Sequence, residues 1–348
     1  MADSEVPSRR HGEGFHLESA VKAARLSDSN RPFGAAISSG RHAEIVPLDP
    51  VTLVPPTDDC STVGYSIDVD NHATVVWASG RRPDRWYVSR QREREVFEVV
   101  ETAARTWRGG ALFVQPLLGG FVIATSDCEW RPTGADRNAV IIDGHGREIA
   151  AGTIGGGILH LQATSAGEIW VGYSDEGVYG NHGWNHPGPE TQGRWGIARF
   201  DTSLSKDWDY APRSLRDPGA PEDVVSECYA LNVTDDRAIA CTYTDFPIIQ
   251  IDRGGDVTVR RVGKEGADNI LVDGQVCALF GGYGGDQNRV TIGELHEGGF
   301  DERGAGKLQL DRRPRDELRP VFVSRGNQLN RLCDRSWLRW RLEVKPKP

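Results

Sequence analysis

Several things are scarce in this chain of 348 residues, and each scarcity closes off a class of protein. No apolar run approaches the ~18 residues that a membrane-spanning helix needs, so insertion into a bilayer is excluded as a reading. Residues 1–30 are polar and charged and hold no apolar h-region, so no secretory signal is expected. Basic residues do not dominate: 41 Lys+Arg face 50 Asp+Glu, a net charge of −9, which argues against nonspecific nucleic-acid binding. Six cysteines are present, Cys60, Cys128, Cys228, Cys241, Cys277 and Cys333, but no two stand two residues apart, so neither a zinc site nor a redox pair is indicated. Cys241 and Cys277 lie in apolar strand-like runs, where a thiol behaves as a small hydrophobe, and a reducing, cytoplasmic compartment is expected. There is no GxSxG elbow. The glycine-rich stretches Gly155–Gly157 and Gly281–Gly285 do not open a helix, so they do not resemble a phosphate-binding loop.

Glycine is abundant: 41 residues, about 12% of the chain against a usual ~7%. Much of it falls in a repeated pattern of an apolar run, a tight turn and a second apolar run ending in a small residue. The copies read VGYSIDVDNHATVVWAS, ALFVQPLLGGFVIATS, ILHLQATSAGEIWVGYS, CYALNVTDDRAIACTYT, NILVDGQVCALFGGY and, less cleanly, VFVSRGNQLNRLCD. Their turns are read at Asp70-Asn71, Gly119-Gly120, Ala166-Gly167, Asp235-Asp236, Asp273-Gly274 and Gly326-Asn327, mostly residue types that tolerate positive φ. A strand-and-turn repeat of roughly 40–50 residues is the sequence mark of β-propeller blades, each of four antiparallel strands, a to d. One interval, of about 70 residues, is longer and holds a Gly/Pro/His/Asn-rich and a Pro-rich stretch, read as insertions at 177–195 and 211–224. Two c–d hairpins are visible, turning at Asp143–Gly146 and Arg253–Asp256.

The expected architecture is therefore all-β: a six-bladed β-propeller over residues 31–348, preceded by a polar segment at 1–30. The last copy is followed by WLRWRLEV and only KPKP after it, so it is read as lacking a fourth strand. AEIVPLDPVTLVP, near the start, supplies one and closes the ring. Seven blades follow instead if Phe15–Gly40 holds a degenerate copy. The charged run from Arg90 to Thr106 suits a helix turn as well as a strand, and is read as the c–d region of the first blade with a solvated face.

In such a ring the b–c loops surround one mouth of the channel. Five begin with an aspartate near the strand end, Asp127, Asp175, Asp245, Asp286 and Asp334, and several add an aromatic such as Trp130, Trp184 or Phe246. These groups could hold a hard cation through oxygen or grip a polar ligand between aromatic walls. An aspartate that caps its own turn and an aromatic packed between blades explain the same recurrence. The third loop breaks the symmetry: Tyr173 and Ser174 lead into Asp175 and Glu176, then Asn181, His182 and Trp184. Asp175 or Glu176 with His182 could form an acid–base pair, or with Asn181 a ligand set for one divalent cation, the single cofactor these oxygens would suit. On the inner strands, His160, Glu227, Tyr229 and the pair Asp268-Asn269 are placed at or near the mouth.

Three stretches, GEIWVGYSDEGVYGNHGW, ECYALNVTDDRAIACTYTDFPIIQID and DGHGREIAAG, resemble uncharacterised actinobacterial proteins across roughly residues 122–252. More distantly the chain is similar to six-bladed propellers of the gluconolactonase and strictosidine-synthase type and to NHL-repeat proteins. The lactonase resemblance implies a Glu, an Asn and an Asp around a divalent cation, for which Glu227, Asn269 and Asp268, or Glu176, Asn181 and Asp175, are available. The functional expectation is a small polar ligand bound at the channel mouth, with metal-assisted hydrolytic or ring-forming chemistry an open addition. A protein partner on the third-blade loops, or glycan stacking on Trp130, Trp184 and Trp337, are the alternatives. No nucleic acid and no membrane partner is expected.

Overall fold

The computed structural model describes residues 33–38, 40–107, 109–212, 224–310 and 319–346. The polar segment 1–30, most of the insertion at 211–224 and the first part of the Phe15–Gly40 copy lie outside the described residues.

The fold is all-β, and the described residues include a single short α-helix. Antiparallel sheets follow one another along the chain. The first holds Cys60–Ile67, Ala73–Ser79, Arg85–Arg92 and Glu95–Ala103. The second holds Leu112–Leu117, Gly120–Thr125, Ala139–Asp143 and Glu148–Gly152. The third is Ile158–Ala163, Ile169–Tyr173, Ile197–Phe200 and Lys206–Asp209. The fourth is Glu227–Val233, Arg237–Tyr243, Ile248–Asp252 and Val257–Arg260, and the fifth Ala267–Asp273, Val276–Gly281, Arg289–His296 and Gly299–Lys307. In each, the strands are called a to d in chain order.

The sixth sheet joins the two ends of the chain. Its strands a, b and c are Val321–Arg325, Gln328–Cys333 and Ser336–Pro346, and its fourth is Arg41–Pro47, paired from Arg41 on Pro346 to Pro47 on Trp340. Phe33–Ala36 adds a further strand outside it, and Val51–Thr52 pairs with Ser336 and Trp337. The described part of the Phe15–Gly40 stretch thus belongs to this sheet.

Burial follows strand order. Strands b are apolar on both faces, as in Gly120–Thr125, because a sheet lies against each side of them. An outer strand such as Glu95–Ala103 alternates between exposed and covered residues, and its Val100 and Thr102 face inward. The charged run is therefore strand, not helix. Six apolar clusters fill the spaces between neighbouring sheets: Val76 and Val88 meet Phe121 and Ile142, and Ile141 meets Leu161 and Phe200. Trp170 meets Leu231, Ile239 meets Leu279, Phe280 meets Trp340, and Trp337 meets Trp77. Strand a of each sheet lies against strand a of the next, and that of the sixth against that of the first.

Two hairpin turns fall one residue away from their expected places. The second sheet turns through Leu118-Gly119 and the fifth through Gly274-Gln275, which puts Gly119 (φ 76°) and Gly274 (φ 64°) at the left-handed positions. All six cysteines are free and buried, and no described helix is long and apolar enough to cross a membrane.

Candidate functional site

The six strands a surround a cavity of about 200 Å³, walled by Leu112, Phe113, Leu161, Leu231, Val321 and Val323 among others. Because strands a and b are antiparallel, strand a starts where strand b ends: Ile158 pairs with Tyr173 and Glu227 with Tyr243. The upper rim of the cavity is therefore on the b–c loop side.

Beneath it the channel is crossed by buried amides and one guanidinium. Gln162 donates to Leu231 O and Ser324 O, both at 3.0 Å, and accepts from Val233 N at 2.8 Å and Arg325 Nη1 at 2.7 Å. Gln115 donates to Ile67 O (3.0 Å) and Ser66 Oγ, and Asn232 donates to Ile270 O (2.6 Å) and Gly326 O (2.7 Å). Arg325, 1% exposed, also donates through Nη2 to Ala163 O. Burial pulls its guanidinium down to about 10, against the attraction of Asp68, Asp235 and Asp70. These side chains tie together strands from all six sheets.

Four of the six strands a carry a β-bulge near their upper end, at Thr62/Gly64, Ile158/His160, Cys228/Ala230 and Ala267/Asn269. The skipped residues are Val63, Leu159, Tyr229 and Asp268. A bulge re-aims the side chain that leaves the ladder. Val63 and Leu159, with Leu112 and Val321 on the two regular strands, line the upper part of the cavity, whereas Tyr229 and Asp268 are not among its lining residues.

His160 lies on the cavity wall, and its Nε2 donates to Tyr229 O at 3.0 Å. Burial lowers its pKa to about 4, so the ring is neutral at pH 7 with its proton on Nε2. Tyr229 belongs to an aromatic cluster that the sequence pattern did not reveal. Its hydroxyl is 2.9 Å from that of Tyr283, and it stacks on Tyr243 (centroids 6.0 Å, planes 12° apart) and against Phe246 (5.5 Å). Tyr243 and Tyr283 are exposed. These rings come from three separate segments, so no local motif announces them.

Glu227 pairs across the strand with Tyr243; burial raises its carboxyl pKa, and the negative Asp175 raises it further. Asp268 is open to solvent, yet its pKa is raised because protein surrounds much of the carboxyl, while the Asn269 amide, at 3.1 Å, works in the opposite direction. Gly281 (φ 107°) leaves room for the carboxyl: a Cβ there would lie 2.6 Å from Asp268 Oδ1.

The third-sheet loop is organised differently from the expectation of an open ligand loop. Asp175–Tyr179 forms one turn of helix, and the following segment packs onto the second sheet's loop, where Trp130–Arg131 pairs with Gly134–Ala135. Trp130 N donates to His182 O at 2.9 Å. Asp127, Glu176, Asn181, His182 and Trp184 meet around a crevice of only about 10 Å³, room for about one water. No hydrogen bond joins Asp175 or Glu176 to His182 among the described residues; Asn181 Oδ1 instead accepts from His182 N at 2.7 Å. Asp127 accepts from Ser126 Oγ at 2.9 Å.

Several candidates serve the framework. Tyr173 is fully buried and donates to Ile154 O at 2.5 Å, so it does not reach a ligand. Trp184 and Trp337 are buried with Nε1 on Cys128 O (2.9 Å) and Asn330 Oδ1 (3.0 Å), which leaves neither ring face for a sugar. Asp286 pairs with Lys307 at 3.0 Å and Arg289 at 3.6 Å. Asp334 (φ 49°) turns the chain and accepts from Tyr65 OH through its backbone oxygen at 3.0 Å. Asp245 (φ 63°) is exposed in the loop beside Phe246.

Among the described residues, one group of three His, Cys, Asp or Glu side chains has ligand atoms close enough to share an ion: Asp68, Asp70 and His72, at the opposite, a–b turn end of the first sheet. Asp68 is already engaged by the Arg90 guanidinium at 2.7 Å and by the backbone N–H groups of Asp70 (3.0 Å) and His72 (2.8 Å), so it fits a turn anchor better than a metal ligand. The loop and mouth residues named from the sequence form no such group.

No protein-family model matches the chain, and no curated protein matches it. Solved structures similar to it include a chain of a mitotic checkpoint complex (11% identity, 97% of this chain and 100% of that one, TM-score 0.48). Others are Hsv2 of Kluyvelomyces marxianus (11%, 82% and 76%, TM-score 0.46) and virginiamycin B lyase of Staphylococcus aureus (12%, 90% and 96%, TM-score 0.45). None of these reaches a TM-score of 0.5.

Proposed function

We propose that the chain is a six-bladed β-propeller, closed by pairing of its N-terminal strand with the last blade, that binds a small molecule in its central cavity from the b–c loop side. The observation that carries this reading is the 200 Å³ cavity, lined from all six inner strands. Arg325 and Gln162 lie under it and block passage through the ring. Sealed below and rimmed by bulged residues above, it is a blind pocket with one entrance. A mostly apolar lining with a few polar groups, among them His160 and Asn269, is the composition of a small-molecule site. It favours a ligand with an apolar body over the wholly polar one that the loop aspartates suggested. Binding is the activity the geometry supports. Glu176 and His182 stand at a crevice too small for a substrate, and neither Asp175 nor Glu176 makes a hydrogen bond to His182 among the described residues.

Plugging the entrance tests this. Leu159 and Val321 are both 40% exposed at the rim, so Leu159→Trp with Val321→Trp fills the mouth without disturbing the core. The wild-type chain, incubated with a cell metabolite extract, repurified and denatured, is expected to release a bound small molecule that the plugged variant does not. Equal retention by both, or none by the wild type, refutes the reading.

A further inference from the structure

The wall of the central cavity carries no charge. Its lining side chains are apolar or neutral and polar, with no Asp, Glu, Lys or Arg among them. His160, the lining group that titrates nearest neutrality, is kept uncharged by burial and spends its proton on Tyr229 O. Arg325 stands behind the wall, with Nη1 on Gln162 Oε1 and Nη2 on Ala163 O. Most of the lining polar groups are already engaged within the fold. Gln162 makes four hydrogen bonds. Tyr65 OH is bonded to Thr62 Oγ1 at 2.7 Å and Asp334 O at 3.0 Å, and Ser66 Oγ accepts from the Gln115 amide. Asn269 differs. It is 4% exposed, and its Nδ2 donates to Asp268 Oδ1 at 3.1 Å, which fixes the orientation of the amide. Its Oδ1 is left an acceptor with no partner among the described residues. Ser324, on the adjoining inner strand of the sixth sheet, is buried on the same wall, and its Oγ has no partner among the described residues either. Buried polar side chains are almost always hydrogen-bonded, so two unpartnered groups facing one cavity mark a place for the polar group of a bound molecule.

Resting on the cavity reading above, we propose that the ligand is an uncharged alcohol or phenol: a compact apolar body against Leu112, Phe113, Leu161 and Val323, with a hydroxyl that donates to Asn269 Oδ1. An ion of either sign would give up its hydration to a wall that offers no countercharge. A ligand that only accepts hydrogen bonds leaves Asn269 Oδ1 dry. A hydroxyl donates and accepts, so it satisfies Asn269, and its lone pairs suit the proton of Ser324 Oγ. Cavities of about 150 Å³ hold a benzene ring, so one of about 200 Å³ accepts a ring bearing one short polar arm.

The test titrates the full chain by NMR at neutral pH with four probes of similar size. These are benzyl alcohol, benzonitrile (which accepts hydrogen bonds but donates none), benzylammonium and benzoate. The wild type is expected to bind benzyl alcohol at least about tenfold more tightly than each of the others, the worth of one hydrogen bond made and one buried acceptor satisfied. Asn269→Leu is expected to bring benzyl alcohol to within about twofold of benzonitrile, while the Leu159→Trp, Val321→Trp variant binds none of the four. Wild-type affinity for benzylammonium or benzoate equal to that for the alcohol overturns the uncharged assignment, and equal affinity for benzonitrile overturns the hydroxyl donor. A preference that survives Asn269→Leu overturns the role of Asn269. These three results leave the cavity reading standing, and the wild-type comparisons decide the matter even where Asn269→Leu does not fold. Absence of saturable binding by any probe, or binding that the plugged variant retains, refutes the cavity reading and this proposal with it.

Discussion

Replacing Gln162 by leucine is expected to be among the most damaging single changes in the chain, though it alters neither charge nor side-chain length much. The Gln162 amide makes four hydrogen bonds, to Leu231 O, Ser324 O, Val233 N and Arg325 Nη1, and so couples the third, fourth and sixth sheets. Leucine removes all four and leaves the groups in place. A buried donor left unsatisfied costs about 1–3 kcal/mol, and more when it is charged. The two carbonyls lose less, because each retains a second lone pair for other donors. The Val233 N–H and the Arg325 guanidinium, which has no ion-pair partner to fall back on, carry most of the penalty. Together they set the loss at about 3–5 kcal/mol, a large part of the ~5–15 kcal/mol that holds a typical domain. Urea unfolding at equilibrium reads this as a drop in midpoint at constant slope. In an Arg325→Met background the same substitution should cost at least about 1 kcal/mol less, because the stranded cation is gone. A loss below about 1 kcal/mol for Gln162→Leu, or full additivity with Arg325→Met, would refute this account of the channel floor.

Tyr173→Phe should cost about 1 kcal/mol in urea unfolding, since it strips the donor from Ile154 O, and should leave small-molecule retention untouched; loss of retention without loss of stability would move Tyr173 out of the core. Gly146→Ala should lower the melting temperature by several degrees, because a Cβ there would strike Glu101 O of the first sheet and φ is +75°; an unchanged melting temperature would contradict this close approach. His160, with its pKa lowered to about 4 by burial, is neutral when folded and charged when unfolded between pH 4 and 6.5. Its contribution to stability is complete above pH 6.5 and lost as pH falls towards 4, so His160→Gln should flatten the stability–pH curve in that window, and an unflattened curve would count against its burial. Asp59, held down to about 2 chiefly by the Arg81 N–H and the Thr57 and Ser79 hydroxyls, works at lower pH: its stabilisation is present above about pH 4 and lost as pH falls through 2, and Asp59→Asn should remove that acid limb from the unfolding profile.

The hairpins were legible because they are local. Asp143–Gly146 and Arg253–Asp256 turn where their residue types say they turn, and the N-terminal strand read as completing the sixth sheet pairs there as Arg41–Pro47. Leu118-Gly119 was missed by one residue because a glycine pair does not reveal which member takes the left-handed conformation. The site was much less legible. A bulge such as that at Tyr229 is a property of two strands in register, and CYALNV, which places Tyr229 near the start of an inner strand, does not show that it leaves the ladder. The Tyr229, Tyr243, Phe246 and Tyr283 cluster assembles across two sheets. The loop from Asp175 to Trp184 stood out for its composition, and composition alone does not distinguish an open ligand loop from one folded down onto Trp130.

The recurrence that made the fold readable also hides the site. An aspartate at the end of strand b recurs from sheet to sheet, and the structure gives two of these framework roles: Asp286 pairs with Lys307 and Arg289, and Asp334 takes a left-handed turn position. Recurrence therefore points to architecture, and a site is better sought where equivalent positions cease to be equivalent. The rim of strands a is such a place. Bulges at four of six inner strands lift one residue each out of the ladder, and once out of it that residue no longer has a pairing role that restricts its type. Valine, leucine, tyrosine and aspartate at these four positions share no common packing requirement.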